Sequence, residues 1–191
     1  MGAEAPQEAR MSPEERVKRW LDEAIIGLDL CPFAAKAKRQ GGVRIAIFKV
    51  DDPMHAVHHT LHEARALLES AEARVRTTLV TLTQGLEDFE VYLDVVATVE
   101  DALFDVGAEG VLQVATFHPD YTFEGEDPEG ISHFTNRAPY PILHLLREQD
   151  VSEAVDRHPN PQNIPHANIA RLHDLGRNKV KELWRCWSAV D

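Results

Sequence analysis

The sequence has few cysteines and no long apolar run, and these absences exclude two broad classes of protein. Only Cys31 and Cys186 occur among the 191 residues, and their spacing matches neither a disulfide framework nor a zinc site. No apolar stretch approaches the ~20 residues that a membrane-spanning helix needs. Residues 1–11 carry glutamates and no apolar segment, unlike a secretory signal. We therefore expect a cytoplasmic protein with no membrane partner and a disordered tail over residues 1–11.

Basic residues are also scarce. The chain has 20 Lys and Arg against 32 Asp and Glu, which gives a net charge of −12. Nucleic-acid binding depends on a basic surface that neutralises phosphates, so this balance opposes a nucleic-acid partner. The sequence contains no P-loop, no dinucleotide fingerprint and no G-x-S-x-G motif. We expect a small-molecule substrate instead, and the sequence does not determine the oligomeric state.

What the sequence does contain is an alternation of strand and helix patterns over its first two-thirds, followed by helical patterns alone. This order predicts an α/β fold, with α+β as the alternative, in a single domain over residues 12–191. We predict a small sheet of three or more strands covered by helices, and an all-helical C-terminal third. The predicted strands are Val43–Val50, Thr77–Thr83 and Val111–Phe117. The predicted later helices are Pro141–Gln149, Ser152–Arg157, Pro165–Leu175 and a last helix bearing Trp184 and Trp187.

The sequence contains clear helix-start patterns for two early helices. Ser12 and Glu15 form a capping-box pattern around Pro13, and an apolar stripe follows at helical spacing: Val17, Trp20, Leu21, Ala24, Ile25 and Leu28. A second helix opens at Asp52, and we predict that Met54, Val57, Leu61, Ala64 and Leu68 face inward. Its four histidines, His55, His58, His59 and His62, fall on the polar side, which favours a solvent-facing cluster over a metal site.

Residues 117–148 hold most of the chemically capable side chains. A predicted strand ends at His118, where ligand contacts are common in α/β folds. Seven of the 11 prolines lie from Pro119 to Pro165, which favours rigid loops. His118 can serve as a general base, as a metal or haem ligand, or as a structural donor. Asp120 and Tyr121 stand beside it as candidate substrate-binding residues.

The predicted helix Pro141–Gln149 places His144, Arg147 and Glu148 at i, i+3 and i+4, on one face. Together they could bind an anion and move a proton, or they could form an ion pair beside a solvated histidine. Arg137 could clamp a carboxylate or phosphate, or cap a tight turn. Asn136 and Tyr140 flank Arg137 as further substrate-binding candidates. Asn136 is more often a turn former than a ligand contact.

Cys31 and Phe33 stand at the end of the first predicted helix. A thiol at a helix C-terminus is not activated by the helix dipole, which argues against a nucleophilic role for Cys31. We assign Cys31 and Phe33 instead to the wall of a pocket that also includes the His118 loop, Arg137 and the His144 helix.

Four segments carry a family resemblance: CPFA at 31–34, VATFHPDY at 114–121, TNRAPYP at 135–141 and LHLLRE at 143–148. With these segments the chain resembles a bacterial family known as domain of unknown function 1415. The resemblance covers nearly the whole chain from Trp20 to Gly176. It implies no reaction.

The order of CPF, FHP and R-A-P-x-P before a histidine-bearing segment is also similar to haem-dependent tyrosine hydroxylases. This resemblance implies a haem cofactor, with a histidine bound to its iron, and hydroxylation of an aromatic ring. The histidine of those enzymes corresponds here to Arg147, with His144 about one turn earlier. Because Arg147 cannot supply an imidazole, we take His144 as the candidate iron ligand and His118 as the alternative.

These observations lead to one main hypothesis and two others. The main hypothesis is a haem-dependent oxidoreductase acting on a small molecule such as an aromatic compound, with His144, Arg137, Cys31 and Phe33 around the haem. The second is a haem-free enzyme that uses His118 and Glu148 for acid–base chemistry, or binds a non-haem metal with His144. The third is a non-catalytic protein that binds a small ligand.

Overall fold

The computed structural model describes residues 11–71 and 74–188. The predicted tail, apart from Met11, lies outside the described residues. The described chain forms four strands, which are β1 (Val43–Phe48), β2 (Thr77–Leu82), β3 (Leu112–Phe117) and β4 (Ile142–Arg147). Its α-helices are α1 (Pro13–Trp20), α2 (Ala34–Arg39), α3 (Pro53–Glu69), α4 (Phe89–Asp105), α5 (Glu148–Arg157), α6 (Ile164–Leu175) and α7 (Arg177–Trp187).

The strands form one mixed sheet in the order β1-β2-β4-β3. β1 and β2 are parallel neighbours, joined by α3, and β4 runs antiparallel to both β2 and β3. The last strand in the sequence therefore lies in the interior of the sheet, between strands that precede it. This architecture confirms the predicted α/β class and the predicted small sheet covered by helices.

The strand β4 corrects the helix predicted over Pro141–Gln149. Ile142, Leu143 and Leu145 are completely buried, because helices cover both faces of the sheet at this position. A short apolar run buried on both sides has no clear period, so it resembles a buried helix in sequence. The continuous helical region of the chain thus begins only at Glu148.

The sheet separates two hydrophobic cores. Alternate residues of β2 and β4 point to opposite faces. Val80 and Leu143 pack toward α3 and α4, whereas Leu79 and Ile142 pack toward α1 and α7. The protein therefore has three layers, with the sheet in the middle and helices on both sides.

The first helix begins as predicted. Ser12 accepts a hydrogen bond from the Glu15 amide, and the Glu15 carboxylate accepts one from the Ser12 amide at 2.7 Å, which completes the capping box. After Trp20 the helix continues as a π-helical turn over Leu21–Ile26. The predicted apolar stripe is buried, except that Leu28 is half-buried.

The predicted inward face of α3 is partly wrong, since Met54 and Leu68 are exposed. The buried face includes Glu63 instead, because its carboxylate forms a bidentate pair with Arg44 of β1 at 2.7 and 2.9 Å. Three histidines of α3, His55, His58 and His62, are exposed as predicted, whereas His59 is half-buried and stacks on the Phe48 ring of β1.

Candidate functional site

A cavity of about 300 Å³ lies on the face of the sheet that packs against α1. Its walls come from the sheet, from α1 with the π-helical turn, from the segment around α2, and from α5 with the loop after it. Most of the lining is apolar, and it includes Trp20, Ile25, Phe33, Leu79, Phe117 and Leu146. Among the residues predicted as functional, this cavity contains His144, Cys31 and Phe33.

His144 lies in the middle of β4, with Leu79 of β2 and Ala115 of β3 as its neighbours in the sheet. Its side chain points to the cavity face. The Nε2 atom lies 2.6 Å from the Thr77 hydroxyl oxygen, and that hydroxyl donates to the Leu145 carbonyl at 2.7 Å. The hydroxyl has only one proton, so we assign the proton of the imidazole to Nε2.

The other ring nitrogen of His144 has no hydrogen-bond partner among the described residues. In the tautomer assigned above, Nδ1 carries a lone pair and is an acceptor. Burial lowers the pKa of His144 from 6.5 to about 4, because the charged imidazolium is poorly solvated there. The ring is therefore neutral at physiological pH, with one acceptor atom available to the cavity.

The charged side chains of the cavity lie where it meets solvent. Arg76, just before β2, forms an ion pair with Asp150 in the first turn of α5, and each side chain is 22% exposed. Lys36 of α2 and Arg157 of α5 also line the cavity and are exposed. The second carboxylate oxygen of Asp150 is buried without a partner among the described residues.

Cys31 lies in the cavity wall, as predicted, and its thiol is free. Burial is the main cause that raises the pKa of Cys31 above its usual value, although backbone amides of Phe33 and Ala34 act in the opposite direction. The thiol is thus protonated at neutral pH. This state agrees with the expectation that Cys31 is a wall residue and not a nucleophile.

His118 does not reach this cavity. Its Nε2 donates to the Leu86 carbonyl at 3.0 Å, and its Nδ1 accepts from the Asp120 amide at 3.0 Å. Its ring packs against Phe89 and Tyr92 of α4, on the opposite side of the sheet. Burial lowers the pKa of His118. The prediction that His118 and His144 share one cavity is therefore wrong, since each ring nitrogen of His118 is held by the main chain.

Arg147 and Glu148 are also separated from His144. In a strand, residues 144 and 147 point to opposite faces. The Arg147 guanidinium donates to the Leu67 carbonyl at 2.5 Å and to the Ser70 carbonyl at 3.1 Å, at the end of α3. Glu148 is the first residue of α5. The predicted constellation on one helix face does not form, because the helix itself does not.

The contacts of Arg137 join elements of the fold to one another. Its guanidinium lies 4.5 Å from the centre of the Phe134 ring, and its Nε donates to the Tyr121 carbonyl at 3.3 Å. Burial lowers the pKa of Arg137. Its carbonyl oxygen accepts hydrogen bonds from the indoles of Trp20 and Trp184, at 3.1 and 3.0 Å. Arg137 therefore joins the helices α1 and α7 to the loop before β4, outside the cavity lining.

The other substrate-binding candidates likewise lie outside the cavity lining. The Asn136 side chain donates to the Thr116 carbonyl at 3.1 Å, which agrees with the turn-forming role more usual for asparagine. Tyr140 is buried, and burial raises its pKa. Tyr121 packs its ring against Phe89, and the Asp120 amide binds His118.

The sequence did not predict several residues that lie at the cavity. Thr77, Arg76 and Asp150 border His144 or the cavity but belong to no motif. The strand pattern alone could have placed Thr77 and Leu79 on one face, because they are two residues apart. The buried His133 was also missed; it accepts from the Phe123 amide and donates to the Asp127 carbonyl, like His118.

The described residues contain no group of three or more His, Cys, Asp or Glu side chains arranged to hold a metal ion. Within that same part of the chain, no helix has the length and apolar character needed to cross a membrane.

The fold and the site together define a class: a three-layer α/β protein with a largely apolar, ligand-sized cavity on one face of a mixed sheet. The chain belongs to the family described as Protein of unknown function (DUF1415), whose model matches residues 12–182. The family match confirms the resemblance drawn from the four segments. No curated protein and no solved structure matches the chain.

Proposed function

We propose that the cavity binds a small, largely apolar molecule and that His144 accepts a hydrogen bond from it. The observation that carries this proposal is the Nδ1 atom of His144, an acceptor that no described residue pairs with, in the wall of an apolar cavity. Ligand sites commonly combine apolar walls with a few polar atoms that orient the ligand. Thr77 fixes the ring by occupying Nε2, so Nδ1 has a defined direction.

The cavity volume limits the ligand. About 300 Å³ is at the lower end of the range for ligand pockets, and a cavity of roughly 150 Å³ accepts one benzene molecule. The space therefore suits a substituted aromatic ring or an alkyl group of similar size. Trp20 and Phe117, whose ring centres are 5.3 Å apart, supply aromatic surface to such a group.

The haem-dependent oxidation stays a prediction, and the site residues do not fit a haem. His144, Cys31 and Phe33 line the cavity, but Arg137 and His118 lie outside it. The Nε2 atom, through which protein histidines commonly bind haem iron, is paired with Thr77. We therefore derive no step that involves haem.

The acid–base alternative loses its proposed partners for a similar reason. Both nitrogens of His118 are bound by main-chain groups, and Glu148 does not line the cavity. Of the residues named in that alternative, His144 is the one that lines the cavity, which favours ligand binding over a proton relay between those residues.

Binding of two matched compounds tests the proposal. We expect 4-methylphenol, which carries a hydroxyl donor, to bind about fivefold more tightly than toluene, because one hydrogen bond contributes about 1 kcal/mol. In the His144→Leu variant this preference should disappear, while toluene still binds. The His62→Gln variant, altered at an exposed histidine of α3, is the control and should behave like the wild type. NMR titration of the backbone amides of β4 and α5 measures both affinities.

Two results would contradict the proposal. One is that neither compound perturbs the β4 amides at millimolar concentration. The other is that the preference for the phenol persists in His144→Leu, since the hydroxyl would then interact elsewhere.

A further inference from the structure

We infer that the ligand of this cavity carries an anionic group, such as a carboxylate, bound by Lys36 and Arg157 at its solvent-facing side. This inference rests on the proposed function, because it concerns the chemical class of the molecule that the same cavity binds. The ligand would then combine an anionic group with the apolar body and the hydrogen-bond donor of the proposed function.

The charged lining of the cavity differs in sign from the chain as a whole. The cavity contains three cationic side chains, Lys36, Arg76 and Arg157, and one carboxylate, Asp150. The chain has a net charge of −12. A local excess of positive charge in such an acidic protein raises the local concentration of anions at the entrance.

The cations differ in how strongly they are already paired. Arg76 is held by Asp150. Arg157 lies 3.2 Å from Glu153, one turn earlier on α5, but both side chains are at least 40% exposed, so that pair is weak. The Lys36 ammonium has no hydrogen bond or ion pair within the described part of the chain. One fully available cation and one weakly paired guanidinium therefore remain for a ligand.

A cationic ligand is the main competing class, since Asp150 has a carboxylate oxygen without a partner. That oxygen, however, is buried from solvent, and the other oxygen is paired with Arg76. An incoming ammonium group would meet Lys36 and Arg157 first, which would repel it. The accessible charges thus favour an anion.

Three compounds with the same phenol ring test the charge requirement: 4-hydroxyphenylacetate (anionic), 4-hydroxyphenylacetamide (neutral) and tyramine (cationic). We expect the anion to bind most tightly and tyramine least. In a Lys36→Gln/Arg157→Gln double variant, the advantage of the anion over the amide should fall about fivefold, as expected for two exposed charge pairs. The affinity for the amide should not change.

The Arg39→Gln variant is the matched control. Arg39 lies on α2 three residues after Lys36 and is exposed, but it does not line the cavity. This variant should keep the full preference for the anion. Raising the salt concentration from 50 to 500 mM should weaken binding of the anion but not of the amide.

Equal affinities for the anion and the amide, or tighter binding of tyramine, would overturn the inference while leaving the proposed function intact. An anion preference that survives in the double variant would also overturn it. Failure of all three phenols to bind would instead contradict the proposed function itself.

Discussion

His144 and His118 show two different uses of a neutral imidazole. Both have a pKa lowered by burial. His118 pairs with two main-chain groups, the buried Leu86 carbonyl and the Asp120 amide, so its role is in the fold. His144 satisfies one group, Thr77, and keeps its second nitrogen available. The difference lies in the hydrogen-bond partners of each ring and not in its proximity to other charged residues.

The lowered pKa of His144 predicts a pH dependence of stability. Its folded pKa is about 4, against about 6.5 in the unfolded chain. Between these values the unfolded state binds more protons, so stability falls as the pH falls through this window. We expect the wild type to lose about 2 kcal/mol more than His144→Gln in its free energy of unfolding between pH 7 and pH 5. Urea denaturation at the two pH values measures this difference.

The exposed His62 provides the comparison for this measurement. His62→Gln should show the same loss between pH 7 and pH 5 as the wild type. If His144→Gln also shows the full loss, protonation of His144 is not its cause, and the site is better solvated than the structure indicates.

At the scale of elements, Arg147 connects β4 to the end of α3. Its guanidinium donates to the carbonyls of Leu67 and Ser70 at the end of that helix, and the Leu67 carbonyl also accepts from the Ser70 hydroxyl at 2.8 Å. We expect Arg147→Met to reduce the free energy of unfolding by about 2 kcal/mol, because hydrogen bonds to a charged group are lost. Hydrogen exchange should accelerate most at the last turn of α3.

Arg65→Met is the matched change on α3. Arg65 pairs with Glu69, and both side chains are well exposed, so its loss should cost less than about 0.5 kcal/mol. If Arg147→Met reduces the free energy of unfolding by as little as Arg65→Met does, the capping role of Arg147 is wrong.

The sequence predicts the helices and strands whose apolar residues recur with a clear period. It mispredicts β4, whose apolar residues do not. The capping box at Ser12, the stripe through Trp20 and Ala24, and the strands β1 to β3 are all present. The run Ile142–Arg147 has apolar residues on both faces, because helices cover both sides of the sheet there. Such a strand has no polar alternation, and its spacing of histidine and arginine looked helical.

That error also explains why the predicted grouping of His144 with Arg147 and Glu148 does not form. A helix would have placed His144 beside Arg147, whereas a strand places them on opposite faces. His144, Cys31 and Phe33 nevertheless lie together, because all three line the cavity on the α1 side of the sheet. Arg76 and Asp150 could not be found from sequence, since 74 residues separate them and no local pattern relates them.

At the scale of the molecule, the two cores share the strands β2 and β4. All three tryptophans of the chain, Trp20, Trp184 and Trp187, lie in the core beside α1 and α7. Their fluorescence thus reports on one side of the sheet only. We expect urea unfolding followed by tryptophan fluorescence and by far-ultraviolet circular dichroism to have the same midpoint, because shared strands couple the two cores. Two separate midpoints would show that the α3–α4 layer unfolds independently.

The strand order also determines when the sheet can be completed during synthesis. β3 cannot join β2 until β4 has been made, since β4 lies between them. A nascent chain that ends before Ile142 would carry one parallel pair, β1 and β2, and a separate strand β3 with both edges unpaired. Such edges are prone to association with other chains. The segment that carries His144 is therefore also the segment whose emergence from the ribosome permits the sheet to close.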